Sequence, residues 1–331
     1  MKKTKNLLIV LFLSFVLLII PNICKATDKY NAQSTINGIT VNWEYELNKT
    51  NQIINLICKN PTELTGSVTI PETLDGKTVI SIGNEAFKAS TKITEIIIPN
   101  TVKEIGLWAF SGCTSLSKVD LGNIEKMNER SFEDCTALTS IKLPKTLKDG
   151  AVGAPFAGCT NLKNIELEEG MTIVPMYACA GTPITEITIP KTVKEIDLWA
   201  FSGCTNLNKI TILDNVKEMG GYSGVDYIFQ NHNDDLTIYC YKDSVAANYA
   251  QKYNIKYVYL TKPSTEEPGN SNNENTTNNG NSNNKPGKDN TVAPTGKLPF
   301  AGAGIGITFI VIALIGGAVY AYIRYKNLKG I

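Results

Sequence analysis

The stretch TEIIIPNTVKEIGLWAFSGCTSL, Thr94 to Leu116, decides the fold, because the chain keeps returning to it. Its apolar residues follow the spacing L-x-x-L-x-L, which recurs as Ile93/Ile96/Ile98, Leu116/Val119/Leu121, Leu138/Ile141/Leu143, Leu162/Ile165/Leu167, Ile184/Ile187/Ile189 and Leu207/Ile210/Ile212. Successive triplets start 23, 22, 24, 22 and 23 residues apart. A second half follows most of them: two apolar residues three apart, then Ala-Phe, then a small residue or Cys. Val102, Ile105, Ala109, Phe110 and Cys113 show it, as do Val193, Ile196, Ala200, Phe201 and Cys204. A fixed period of this length is the signature of a solenoid, in which no unit has enough core to fold alone.

The spacing also says how each unit is built. Alternation at x-L-x-L puts two side chains on the same face of a short strand. Pro99, Pro144 and Pro190 then end their strands, since proline has no N–H for a ladder. The Ala-Phe segment reads as a short helical or 3-10 turn on the opposite side, dropping its ring inward. Phe87, Phe110, Phe132, Phe156, Phe201 and Phe229 should form a column, with Cys179 in the slot of one irregular unit. The fold class expected is an α/β repeat solenoid, with a parallel β-sheet on one face and short turns on the other. A β-hairpin should open it, because Ile39, Val41, Trp43, Tyr45 and Leu47 alternate before Asn48 to Asn51 turn into Ile53 to Cys58. At the other end Asp243 can cap a helix carrying Val245, Tyr249 and Tyr253 on one face, followed by a strand from Lys256 to Leu260.

The two ends are of a different kind. Lys2, Lys3 and Lys5, the apolar run Leu7 to Ile20, Pro21 and the Cys24-Lys25-Ala26 site read as a secretory signal. Acylation of Cys24 is the other reading of that site. Near the carboxyl end, Ile305 to Ile323 holds 19 residues without a charge, followed by Arg324, Lys326 and Lys329. That length suits a bilayer span, and the basic tail places the C-terminus in the cytoplasm. The Asn-rich segment before it has too few apolar residues to offset its ordering entropy and reads as a tether. The chain thus divides into a signal peptide (1–26), a hairpin cap (27–67), repeats (68–235), a closing cap (236–260), an Asn-rich linker (261–297), a short motif (298–302), a transmembrane segment (303–323) and a basic tail (324–331). A net charge of +1 with interspersed signs excludes the basic face that nucleic-acid binding needs.

The 94–116 stretch, the opening NGITVNWEYELNKTNQIINL and the closing LTIYCYKDSVAANYAQKYNIKYVYL resemble the BspA-type leucine-rich repeat, a bacterial surface class, over roughly residues 36 to 260. The resemblance implies a right-handed superhelix used in adhesion to host or neighbouring-cell proteins. Lys148 to Pro155, Met171 to Thr182 and Gly220 to Asp235 depart from the pattern. Leu298, Pro299, Phe300, Ala301 and Gly302, placed before an apolar span and a basic tail, resemble the Gram-positive sorting signal Leu-Pro-x-Thr-Gly, with Ala301 in the Thr place. That likeness implies a sortase, whose thiolate attacks the carbonyl of Ala301, and transfer to peptidoglycan. A plain membrane anchor is the alternative.

Catalysis lacks its parts. No Gly-rich phosphate loop or metal-ligand cluster appears, no cofactor is expected, and the sole histidine, His232, lies in the polar insertion NHNDD, where a solvated residue is expected. Glu168-Glu169 and Asp234-Asp235 are adjacent pairs near turns and read as solvated. The chain has eight Cys but no C-x-x-C pair, so zinc is not indicated. Cys113, Cys135, Cys159 and Cys204 share one repeat slot, which reads as a column of small buried thiols; disulfides between neighbouring coils are the other reading.

Outward strand positions form the candidate protein-binding face. One row is Glu95, Lys118, Ser140, Asn164, Glu186 and Lys209; the other is Ile97, Asp120, Lys142, Glu166, Thr188 and Thr211. Trp108, Tyr177 and Trp199, in the slot before Ala-Phe, are either a second contact surface or packing between coils. The function expected is protein-protein interaction or adhesion to an extracellular protein ligand. A structural wall component or spacer without a dedicated ligand is the rival.

Overall fold

The repeat unit is seen most clearly at Ile93–Ile97, the strand that follows the turn at Ser90. Ile93, Ile96 and Ile98 point into the core and are buried, whereas Thr94 is exposed. Pro99 closes the strand, Val102 turns inward, and a second strand of two residues, Glu104–Ile105, follows. The chain then folds back through Ala109 and Phe110, both buried, and enters the next coil at Lys118–Asp120. This computed structural model describes residues 28–148, 153–220 and 228–261. The expected signal peptide (1–26), linker, sorting-like motif (298–302), transmembrane segment (303–323) and basic tail (324–331) lie outside the described residues. Among the described residues no helix is long and apolar enough to cross a membrane.

The described chain belongs to two units, Met1–Asp149 with Pro155–Glu168, and Gly150–Ala154 with Glu169–Ile331. In the first, the long strands run parallel: Gly66–Thr69 beside Ile93–Ile97, with one register shift after Gly66, then Lys118–Asp120, with Ser140–Leu143 beside Asn164–Leu167. In the second, Glu186–Thr188, Lys209–Ile212, Thr237–Cys240 and Lys256–Tyr259 form one four-stranded parallel sheet.

The expectation of a single sheet is corrected by a second parallel ladder in each unit. Ser81–Ile82, Glu104–Ile105 and Lys126–Met127 build it in the first, and Ile173–Val174, Glu195–Ile196 and Glu218–Met219 in the second. These strands are too short for sequence alternation to reveal. Each holds an inward residue read only as the apolar position three after Val102 or its equivalent, and in Ile173–Val174 both residues are buried.

The helical reading of the Ala-Phe segment is also corrected. It is a hydrogen-bonded turn, and it bonds to the next coil: Phe87 N–H donates to Ala109 O at 2.7 Å, Phe110 to Ser131 O at 2.8 Å and Phe132 to Pro155 O at 2.8 Å. In the second unit Cys179 donates to Ala200 O and Phe201 to Ile228 O. The cause is two left-handed residues four apart. Trp108 has φ 52° and Gly112 φ 73°, and the pairs Glu85/Ala89, Arg130/Asp134, Tyr177/Gly181 and Trp199/Gly203 repeat them. A left-handed residue costs about 1–2 kcal/mol for a residue with a Cβ and cannot continue a right-handed helix. The freed N–H groups therefore find carbonyls one coil away.

The aromatic column is present within each unit. In the first, Phe87, Phe110, Phe132 and Phe156 stack at ring-centroid separations of 5.2, 5.0 and 5.6 Å, and Trp43 meets Phe87 edge-on at 6.0 Å. In the second, Phe201 stacks on Phe229 at 5.7 Å, and Tyr249 meets Phe229 edge-on. Cys179 fills the equivalent slot of its coil and is buried.

At the amino end Ile39–Leu47 and Ile53–Cys58 are antiparallel, and Lys29–Ile36 adds a third antiparallel strand before them. At the other end the helix α1 (Val245–Lys252) is capped by Ser244, whose Oγ accepts from Ala247 N–H at 3.1 Å. The expected cap, Asp243, has φ 62° and lies one residue outside, away from the extended geometry that a cap requires.

Candidate functional site

The candidate face is built by the long strands. Pairing puts Glu95 beside Lys118 and Ile97 beside Asp120, Ser140 beside Asn164 and Lys142 beside Glu166. In the second unit Glu186 lies beside Lys209 and Thr188 beside Thr211. Most of these side chains are exposed; Glu95, Ile97 and Thr211 are half-buried. In-register stacking places each residue roughly 4.8 Å from its counterpart one coil away, so a side chain on this face always has a neighbour of the same row.

In three pairs that neighbour compensates its charge. Lys118 Nζ lies 2.5 Å from Glu95, Lys142 3.0 Å from Glu166 and Lys209 3.4 Å from Glu186. The hydrogen bond from Lys118, helped by Ser67, holds the Glu95 carboxyl below the usual range, and Glu95 in turn raises Lys118. Glu166 likewise raises Lys142. Asp120 accepts the Gly122 N–H at 3.0 Å, which closes the turn after its strand. The face is therefore polar but locally neutral. It can offer hydrogen bonds and shape to a partner, with little long-range steering.

The rows extend further than the sequence reading placed them. Ser67 and Thr69 precede Glu95 and Ile97. In the second unit Thr237 and Lys256 continue the first row beyond Lys209, and Tyr239 and Val258 continue the second beyond Thr211. Val258 is 43% exposed, among the few large apolar side chains so open in the described residues. Lys209 Nζ sits 5.5 Å from the Tyr239 ring centroid. The signal was available, since Leu236, Ile238 and Cys240 repeat the x-L-x-L alternation; reading 236–260 as a cap concealed it.

The aromatic slot is packed between coils. The rings of Tyr177 and Trp199 stack at 5.2 Å and 5°, and Lys88 Nζ lies 5.2 Å over Trp108. All three aromatics are half-buried and left-handed at the backbone. The first unit surrounds this slot with ion pairs, Lys88 with Glu85 and Arg130 with Glu129 and Glu133.

The other chemistry-bearing residues are structural where described. Cys113, Cys135 and Cys159 donate their Sγ–H to the carbonyls of Phe87, Phe110 and Phe132, and Cys204 to that of Cys179, at 3.0–3.3 Å. The seven described cysteines are unbridged and buried. His232 lies in a loop, as expected; it stands three after Phe229, the same slot as those cysteines, and is half-buried with Nδ1 2.6 Å from Asn233 O. Glu168 accepts the Lys145 N–H at 2.8 Å, and Asp235 pairs with Lys256 at 2.9 Å. Among the described residues no group of three or more His, Cys, Asp or Glu side chains could hold a metal ion.

Coils of this length, strand-faced and turn-backed with a buried aromatic column, define a leucine-rich-repeat protein. The family model for the BspA type leucine rich repeat region matches residues 52–154 and 152–237 in six copies, and the chain belongs to that family. Among solved structures, the T. pallidum leucine-rich repeat protein is 19% identical, covering 66% of this chain and 95% of its own, with a TM-score of 0.40. A leucine rich cell surface protein from Faecalibacterium prausnitzii A2-165 is 18% identical, covering 62% of this chain and 75% of its own, with a TM-score of 0.34. A leucine-rich repeat protein from Bacteroides capillosus is 24% identical over 41% of this chain and 99% of its own, with a TM-score of 0.34. No curated protein matches the chain.

Proposed function

We propose that this chain is a cell-surface protein whose repeats bind an extracellular protein ligand through the strand face, without catalysis. The observation that carries the reading is the two exposed rows, held in register by backbone pairing in each unit and neutralised by ion pairs between coils. A rigid polar face with little net charge suits a protein partner, because specificity then rests on shape and short-range hydrogen bonds. Membership of the BspA-type family supports the same reading.

The export and anchoring parts of the proposal rest on sequence alone. Residues 1–26 direct export, 303–323 span the membrane, and Leu298 to Gly302 offer a sortase the peptide bond between Ala301 and Gly302 for transfer to peptidoglycan. The mature chain should be released from cells by wall digestion without its C-terminal tail. Recovery from the membrane with the tail intact would leave a plain membrane anchor.

Binding is tested on cells displaying the full chain, with purified matrix proteins and neighbouring cells as candidate ligands. Saturable binding that disappears when Ser140, Thr188 and Thr211 are changed to Arg, at unchanged display level, supports the strand face. Absence of any saturable partner supports instead a spacer that holds other components away from the surface.

A further inference from the structure

The strand Lys29–Ile36 forms one edge of the six-stranded sheet of the first unit, and among the described residues nothing pairs with its outer side. Free edges invite pairing with another chain, and proteins guard them with short strands, central lysines, prolines or bulges. This edge has none of those guards. Eight residues pair with Ile39–Leu47 in unbroken register, and the sole charge, Lys29, sits at the end, 2.7 Å from Glu44. By contrast, the edge strand Lys256–Tyr259 is only four residues long.

The inward row of this edge is also incompletely covered. Tyr30, Ala32, Ser34 and Ile36 stand beside Tyr45, Trp43, Val41 and Ile39. Tyr45, Trp43 and Val41 are buried, but Tyr30 is 40% exposed and Ala32, Ser34 and Ile36 remain half-buried. The next strand outward would shelter them.

We propose that this edge joins two copies of the chain, each Lys29–Ile36 pairing antiparallel with that of the other about a two-fold axis through Gln33. Opposed residues of an antiparallel pair share a face, so a symmetric pairing must be centred on a residue. Centring on Gln33 sets Tyr30 opposite Ile36 of the second copy and Ala32 opposite Ser34 on the inward face. On the outward face Asn31 meets Thr35, and Gln33 meets its own equivalent. A glutamine amide both donates and accepts, so it pairs with an identical amide. No like charges are opposed, because Lys29 falls opposite Asn37. Such an isologous contact closes at two copies.

The test is sedimentation equilibrium of the displayed chain, released from cells by wall digestion or, where it is held by the membrane, by detergent. The unaltered chain should sediment as a dimer. Gln33→Lys and Gln33→Asp each set two like charges face to face, so each should be monomeric at concentrations where the unaltered chain is dimeric, and their equimolar mixture should restore the dimer. Gln33 is exposed and its side chain bonds to Asn42 at 2.7 Å on the surface, so both variants should fold. They should melt with the unaltered protein once it is diluted to monomer, since dimerisation itself raises the melt of the unaltered chain at higher concentration. A monomeric unaltered chain, or a Gln33→Lys chain that stays dimeric, overturns the proposal.

Discussion

Cys159 donates its Sγ–H to the backbone carbonyl of Phe132, 3.0 Å away and one coil back. The bond ties the slot three residues after the aromatic of one coil to the aromatic slot of the coil before, and Cys113 and Cys135 repeat it along the first unit. Small thiols fit there because the slot is buried and bounded by a carbonyl that needs only a weak donor.

Ser90 holds the same slot in an earlier coil, fully buried, and its hydroxyl finds no hydrogen-bond partner among the described residues. A buried unsatisfied hydroxyl costs about 1–3 kcal/mol. Ser90→Cys should therefore raise stability by about 1 kcal/mol in chemical denaturation; a drop would show that the slot differs from those that follow.

Burial pushes the thiol of Cys113 up to about 12 and those of Cys58 and Cys204 up to about 11. In the unfolded chain thiols ionise from about 8.5, so the folded state holds protons that the unfolded state releases. Stability from this source is complete below about pH 8 and is lost as pH rises from there toward 11–12. Melting temperature should fall over that range, and less steeply in Cys113→Ala. A thiol reagent at pH 8 should label the described cysteines only after unfolding.

Phe132 stacks between Phe110 and Phe156 and is fully buried. Phe132→Ala should cost about 3–5 kcal/mol, read as a lower midpoint in urea. An unchanged midpoint would contradict the column.

Two glycines of the same coil should respond differently to alanine. A Cβ on Gly106 would lie 2.5 Å from the Gly83 carbonyl carbon and 2.6 Å from Asn84 N, backbone that cannot step aside. On Gly112 the nearest atom is Ala89 Cα at 3.6 Å, and the strain is that of φ +73° alone. Gly112→Ala should cost about 1–2 kcal/mol, which Ala89 already bears at φ 59°, and Gly106→Ala should cost distinctly more. Equal costs would show that the second ladder can relax.

Lys118 and Glu95 pair on an open surface, where such pairs are worth about 0–1 kcal/mol. Lys118→Ala should leave the melt within a degree or two while altering any ligand binding on the strand face. A large loss of stability would assign the row to folding instead of recognition.

The recurrence at Ile93, Leu116, Leu138, Leu162, Ile184 and Leu207 was enough to establish the repeat, its inward strand residues and the phenylalanine positions, because burial imposes a period that survives in a single chain. It was enough also to place the outward residues of those six strands, though not the ends of the two rows, since side chains alternate along any strand. Tertiary structure decided what depends on the neighbouring coil. The Ala-Phe segment bonds across coils because Trp108 and Gly112 turn left-handed, which residue type alone does not announce at a tryptophan. The two-residue ladder at Glu104–Ile105 arises only when Ser81–Ile82 and Lys126–Met127 arrive on either side. The neutrality of the strand face likewise comes from residues about one repeat apart, such as Glu95 and Lys118, meeting side by side. Local sequence sets which way a residue points; stacking sets what it meets.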